Sequence, residues 1–415
     1  MASCTHLLFS DGLNHTEPEL KARLMQLEND EAVNKLPAIL FIGGLLLIGF
    51  CGNLLVCAVY YSKFTASTSK YFILSLAIFD LVNCLIAIPA EMVDLRFDYH
   101  FNSPHVCRIM RFTITFNTTA SAGALLAIAV DRYRKICRPF ERQMSLRETR
   151  LWIVFAVFGS LLLSWPATLL YGRRTEQMSG IDTYDCSFDD SVIDKWYPQV
   201  YIVILTVMCL ATMAVLVVLY VLIVVRVWRQ KSRRKRIMSR SAITKNSSAS
   251  LADSIRKLNC KLGNKGAEVM QLSADGDASI LSTEQRRRQN MNQNQTIKTT
   301  IMLFCVTLVF IISFIPFFAL QIIKSIYPGF EDGLHCNHSA LIAYKLFLRS
   351  FFINSAANPI IYSFCNDGFR LECKTVVRKV FCCLCRQSSC CQPPKPCDEL
   401  NVPNQFRSLE AVPDC

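Results

Sequence analysis

The chain has 415 residues, 52% of them hydrophobic and only 19% charged, with a formal net charge of +13. A positive mean hydropathy at this length excludes an ordinary soluble protein and points to a membrane protein. The basic charge does not mark a nucleic-acid binder, because Lys and Arg lie against the boundaries of apolar runs rather than in one patch.

The N-terminal segment, residues 1–36, is polar and carries Asn14-His15-Thr16, a glycosylation acceptor suited to an extracellular tail. It has no leader pattern, so the first apolar run is expected to act as its own signal anchor. Seven runs follow that reach the roughly twenty residues a helix needs to cross a bilayer. They are Pro37–Tyr61, Tyr71–Leu95, Val106–Ile136, Leu151–Tyr171, Trp196–Val227, Thr296–Ile323 and Ala340–Phe364. The segments after runs one, three, five and seven hold 33 of the 45 basic residues, whereas those on the other side are rich in acids. Basic segments stay cytoplasmic, so the N-terminus is expected outside and the C-terminus inside.

Span one places Asn53 in hydrocarbon after Gly52, and that carboxamide needs a partner from another helix. Span two carries Asp80, which reads either as a functional carboxylate or as a structural hydrogen-bond anchor, and then Pro89, which bends the helix. Span three opens at Cys107, and the loop after span four carries Cys186. Both lie on the oxidising side, so their bridge is the natural pairing. Cys4 and Cys336, also outside, read equally as a second bridge or as free thiols.

Span three closes on Asp131-Arg132-Tyr133, an acid, a base and a phenol at the point where an apolar helix leaves hydrocarbon. A carboxylate there holds the guanidinium or releases it to a partner, which is a switch in chemical terms. Span five contains Tyr220. The cytoplasmic loop after it, about 230–295, is expected to have basic helical ends and a disordered centre. Span six holds Phe310, Phe314 and Pro316, a proline hinge lined by aromatic rings. Span seven ends in Asn354-Ser355 and Asn358-Pro359…Tyr362. Residues 365–385 form a short amphipathic segment in which Cys382, Cys383 and Cys385 suit palmitoylation at the inner leaflet, and 386–415 are a cytoplasmic tail.

The order and spacing of Gly52-Asn53, Leu76-Ala77…Asp80, Cys107 with Cys186, Asp131-Arg132-Tyr133, Phe310…Pro316 and Asn358-Pro359…Tyr362 resemble the rhodopsin-like (class A) G-protein-coupled receptors. The resemblance implies an all-α membrane protein: a seven-transmembrane helix bundle over 37–364 with an amphipathic eighth helix. It also implies a sodium pocket from Asp80, Ser121, Asn354, Ser355 and Asn358. Arg132 would leave Asp131 when helix six swings outward, with Tyr220 and Tyr362 closing behind it. The implied partners are a heterotrimeric G protein, arrestin, receptor kinases and membrane lipids.

The chain also departs from that pattern. Phe314 stands where many members have tryptophan, and Thr212 where proline is common, so the packing trio Ala122, Thr212 and Phe310 is altered. Thr296 replaces an acid that sometimes clasps the helix-three arginine, which predicts measurable basal signalling.

Ile114 occupies the place of the ammonium-gripping aspartate of amine receptors, and Phe352 that of the retinal-binding lysine of opsins, so both ligand classes are disfavoured. The remaining pocket is bordered by Glu91, Asp94, Arg111, Ile114, Thr115, Thr118, Gln321, Lys324 and Tyr344. An acidic outer surface steers a basic peptide, and a peptide receptor loosely similar to the cholecystokinin and orexin group is expected. A lipid or small organic ligand is the alternative, and a seven-span transporter using Asp80 is the alternative of another class. No nucleophile–base pair or metal-spaced cluster points to an enzyme.

Overall fold

A computed structural model describes residues 17–97, 100–178, 181–261, 275–327, 330, 334 and 337–387. Among the described residues, six helical stretches are long and apolar enough to cross a membrane: Ala32–Lys63, Thr68–Arg96, Pro104–Cys137, Leu146–Leu170, Tyr197–Arg233 and Gln295–Lys324. The seventh span is also present but broken. It runs as a helix His338–Leu348, a 3₁₀ turn Ser350–Phe352 and a second helix Ile353–Cys365, so neither helical piece reaches crossing length alone.

Local chemistry sets the ends of these elements. Ser67 caps span two by accepting from the Lys70 amide at 3.2 Å. Ser145 and Glu148 form a reciprocal capping box that starts span four. Span two is interrupted by a π turn, Asn83–Ala87, before Pro89. A proline cannot donate to the carbonyl four residues back, and a widened turn absorbs the mismatch.

Three stretches extend beyond the expected boundaries. The helix of span one begins at Glu17, within the segment read as a polar tail. The loop of about 230–295, expected to have helical ends around a disordered centre, is carried as helix as far as Lys261 and again from Asp275. Between Lys231 and Lys261 there is no proline or glycine to stop helix propagation, and Gly263 is the first breaker. The loop after span four, given no structure in advance, is an antiparallel hairpin of β1, Tyr171–Met178, and β2, Ile181–Phe188, with Arg173 opposite Cys186.

The main core lies between spans two, three, five, six and seven, built around Leu76, Leu125, Ile128, Leu216, Phe310 and Tyr362. Span five turns Val203, Val207, Leu210, Val217 and Val221 outward, all exposed. Such an apolar outer face fits lipid and would be an aggregation liability in water. Gly52 permits the closest approach of spans one and seven, since a Cβ there would lie 2.6 Å from Cβ of Pro359.

Candidate functional site

The polar side chains inside the bundle fall into three layers. At the end of the bundle away from the Cys107–Cys186 hairpin, Arg132 pairs with Asp131 and both are buried. The same carboxylate oxygen accepts from Lys135 at 3.0 Å and from Thr68 at 3.4 Å, while Arg132 also donates to the Ser69 hydroxyl at 2.9 Å. The pair is therefore made towards the start of span two. Lys135 was legible as the i, i+4 partner of Asp131; Thr68 and Ser69 carry no signal until the helices are packed. Tyr133 lies under the Arg138 guanidinium, 5.9 Å from its ring centre. Tyr220 donates to the Leu303 carbonyl at 3.3 Å and accepts from Thr307 at 3.1 Å, tying span five to span six. Tyr362 is buried among Tyr60 and Phe369, and its hydroxyl has no hydrogen-bond partner among the described residues.

In the middle layer, Asn358 donates to Asp80 at 2.7 Å. Asn53 reaches across to the Ser355 carbonyl at 2.7 Å. The Ser355 hydroxyl accepts from Asn83 at 3.3 Å, and the Asn83 carbonyl oxygen accepts from Asn117 at 3.0 Å. Ser121 is buried one turn below Asn117, and Asn354 is buried on span seven. Asn83 and Asn117 were absent from the expected set, although carboxamides in apolar spans are the same signal that singled out Asn53.

The side-chain oxygens of Asn117, Asn354 and Asn358 accept no hydrogen bond from any described residue. Of these, Asn358 touches the Asp80 carboxylate, and a carboxylate with neutral carboxamide oxygens is the donor chemistry that a hard cation takes. No group of three His, Cys, Asp or Glu occurs among the described residues, so the layer does not resemble a transition-metal site.

The upper layer brings Glu91, Asp94 and Arg111 together with Arg349 of span seven. Arg349 donates to Glu91 at 2.8 Å and to Asp94 at 3.5 Å, and Arg111 approaches Glu91 at 3.4 Å. Arg349 was missed, yet a guanidinium within a hydrocarbon span demands a carboxylate partner, and span two offered two. Arg111 also donates to the Cys186 carbonyl at 3.1 Å and lies 5.7 Å from the Tyr171 ring centre. The Cys107–Cys186 disulfide holds the hairpin there.

Of the other residues expected to border the pocket, Ile114 is half-buried in the apolar packing below this layer and Thr115 donates back to Arg111's own carbonyl at 2.9 Å. Thr118 is half-buried, Tyr344 is buried, and Gln321 and Lys324 are exposed at the outer end of span six. Above the layer, Glu28 of the extended first helix meets His100 at 2.9 Å.

Between the upper and lower layers Phe310 and Phe314 pack beneath Pro316 with tilted rings, centres 4.9 Å apart, and Phe314 stacks on Phe351 at 5.7 Å. On the outer loop, Asp189 accepts from Ser191 and, at 3.1 Å, from Arg108. Partial burial alone would raise its carboxyl, but those hydrogen bonds hold it below the usual carboxylate range. Asn14, Cys4 and Cys336 lie outside the described residues. Cys382, Cys383 and Cys385 lie in the helix Asp367–Gln387, with side chains outside the described part.

A family model described as "7 transmembrane receptor (rhodopsin family)" matches residues 52–362. A "Tachykinin-like peptides receptor 99D" of Drosophila melanogaster is 25% identical over 357 residues, which is 82% of this chain and 56% of that relative. A "Mesotocin receptor" of Rhinella marina is 30% identical over 165 residues, covering 39% of this chain and 40% of its own length. The chain thus spans about half the length of these curated relatives. With the family match running through the Gly52-Asn53 contact, the Asp131-Arg132 pair and the Asn358…Tyr362 segment, the chain belongs to the rhodopsin family of seven-transmembrane receptors.

Proposed function

We propose that this protein is a plasma-membrane G-protein-coupled receptor, N-terminus outside and C-terminus inside, that binds an extracellular peptide and activates heterotrimeric G proteins by outward movement of span six. The observation that carries the reading is the buried Arg132–Asp131 pair at the cytosolic end of span three. A charge pair there is costly to keep unless it has two uses, one in each position of the helices. Similarity to receptors named for tachykinin-like peptides and for mesotocin supports a peptide ligand. So do the hairpin held over the bundle by Cys107–Cys186 and the ionic layer beneath it. The receptor carries out no catalysis of its own; arrestin and receptor kinases act on its cytoplasmic side, and Cys382, Cys383 and Cys385 are acylated at the inner leaflet.

The middle layer would hold a sodium ion: Asp80 would supply the charge, and Ser121, Asn354, Ser355 and Asn358 neutral oxygens, joined by Asn117. Bound there, a monovalent cation would supply the positive charge that Asp80 lacks, and these residues would keep spans two, three and seven together.

The testing experiment expresses the full chain in cells and reads calcium, raised cyclic AMP and lowered cyclic AMP in parallel during challenge with a peptide library. The reading requires a peptide response that Arg132→Ala abolishes at unchanged surface expression. An Asp80-dependent current or solute flux, with no signalling under any condition, would replace it with a transporter.

A further inference from the structure

Span seven loses its α geometry at one charged residue. The helix ends at Leu348; Arg349 takes φ −106° and ψ 10°, and a 3₁₀ turn follows through Phe352. Its side chain is almost fully buried and is gripped by Glu91 at 2.8 Å, with Glu91 as buried as the arginine. The grip on Asp94, at 3.5 Å, is long for a charge-assisted bond. The break in span seven is therefore fixed to the outer end of span two chiefly by one tight ion pair.

The next two residues carry the break to span six. The Ser350 hydroxyl donates to the Ser313 carbonyl at 2.6 Å, in the turn where Pro316 removes a backbone hydrogen bond. Phe351 packs on Phe314 at 5.7 Å and on Phe317 at 5.5 Å, the rings on either side of that proline. Ser313 and Ser350 are both buried, so no water competes for their bond from outside.

We infer that Arg349 is a positioning residue for receptor switching: its pair with Glu91 sets the break in span seven, and Ser350 and Phe351 transmit that setting to the Pro316 hinge and hold span six inward. The inference rests on the receptor reading, in which span six has two positions. Loss of the pair frees the break to relax, slackens the Ser350–Ser313 bond and lets span six move outward. A ligand that competes for Glu91 acts on the same joint from outside.

The test uses the full-length protein in nanodiscs, with spin labels on non-canonical residues in place of Arg147 and Gln295, at the cytosolic ends of spans four and six. Pulsed electron resonance reads the distance between them. Arg349→Gln is expected to raise the outward population about threefold, in the range found for coupling through packed residues. Ser350→Ala, which leaves the ion pair in place, is expected to do the same. The double variant should go no further than either alone, since both cut one linkage. Arg349→Lys, which keeps a cation for Glu91, should leave the distribution nearer the wild type than Arg349→Gln does. Asp131→Asn serves as a control that moves span six through the cytosolic clasp. If Asp131→Asn lengthens the distance and Arg349→Gln and Ser350→Ala do not, the inference fails and the receptor reading stands. If none of the three lengthens it, both fail. Should Arg349→Gln not fold, Ser350→Ala decides, and an unchanged distribution overturns the inference.

Discussion

Replacing Asp131 by asparagine tests the cytosolic clasp with the smallest change of shape. One carboxylate oxygen of Asp131 receives the Arg132 guanidinium and, at 3.0 Å, the Lys135 ammonium, while its other oxygen has no partner among the described residues. Hydrogen bonds to charged groups contribute about 1.5–3 kcal/mol each, against about 0.5–1.5 kcal/mol for neutral ones. Asparagine keeps an acceptor, so the loss is the difference, roughly 1–1.5 kcal/mol per bond. The Lys135 bond counts for less, because its side chain is 25% exposed and water screens it. The resting state then loses about 2 kcal/mol relative to the state in which Arg132 points to a G protein, a shift of about 30-fold in their ratio. The assay is ligand-free second-messenger output at matched surface density. Asp131→Asn should raise it well above the wild type, which itself should signal measurably because Thr296 offers no carboxylate to Arg132. Basal output equal to or below the wild type, with the variant at the surface, would refute the clasp.

Other consequences follow from single contacts. Gly52→Ala places a methyl 2.6 Å from Pro359 in a packed core, and an overpacking cost of about 1–3 kcal/mol should lower the melting temperature of the purified protein. Cys107→Ser frees the hairpin from span three; loss of about 2–5 kcal/mol is expected, read as lower thermal stability and faster amide exchange across β1 and β2. An unchanged exchange pattern would mean that the strands hold themselves. Asp189 is depressed in the folded chain, so its contribution is complete above the ordinary carboxyl value of about 3.9 and is lost as pH falls through the lower folded value. Exchange near the Arg108–Asp189 contact should therefore rise on acidification in the wild type and be high at all pH in Asp189→Asn. Sodium chloride should raise the melting temperature more than choline chloride at equal ionic strength, and Asp80→Asn should remove the difference. Equal effects of the two salts would leave the middle layer as a water-filled network.

The number of spans and the polar residues inside the bundle were legible in the sequence because hydropathy and a few polar residues in hydrocarbon are local signals. Asp131 and Arg132 are adjacent, so their pairing needed no tertiary knowledge. Arg349 was overlooked because it stands among apolar residues whose hydropathy masks it, and its carboxylates lie 255 and 258 residues away. The direction of the Arg132 clasp was equally hidden. Thr68 and Ser69 are ordinary first-turn residues of span two until packing sets them beside span three. The break in span seven follows from that same arginine. A straight helix is given up locally where Arg349 bonds two helix-two acids and Ser350 bonds span six, and neither requirement is written within the span itself. The hairpin after span four escaped notice because its strands alternate weakly and meet across a two-residue turn, while the disulfide that anchors it was evident from topology.

The central claim is that this bundle transmits a change from its outer face to a G protein through Arg132. The most direct measurement is nucleotide exchange on purified heterotrimeric G proteins of each class, catalysed by the full-length protein in nanodiscs without added ligand. Exchange above the empty-nanodisc rate is expected for at least one class, raised by Asp131→Asn and abolished by Arg132→Ala. Exchange at the background rate for every class with Asp131→Asn, from protein that is folded by its melting curve, would contradict it.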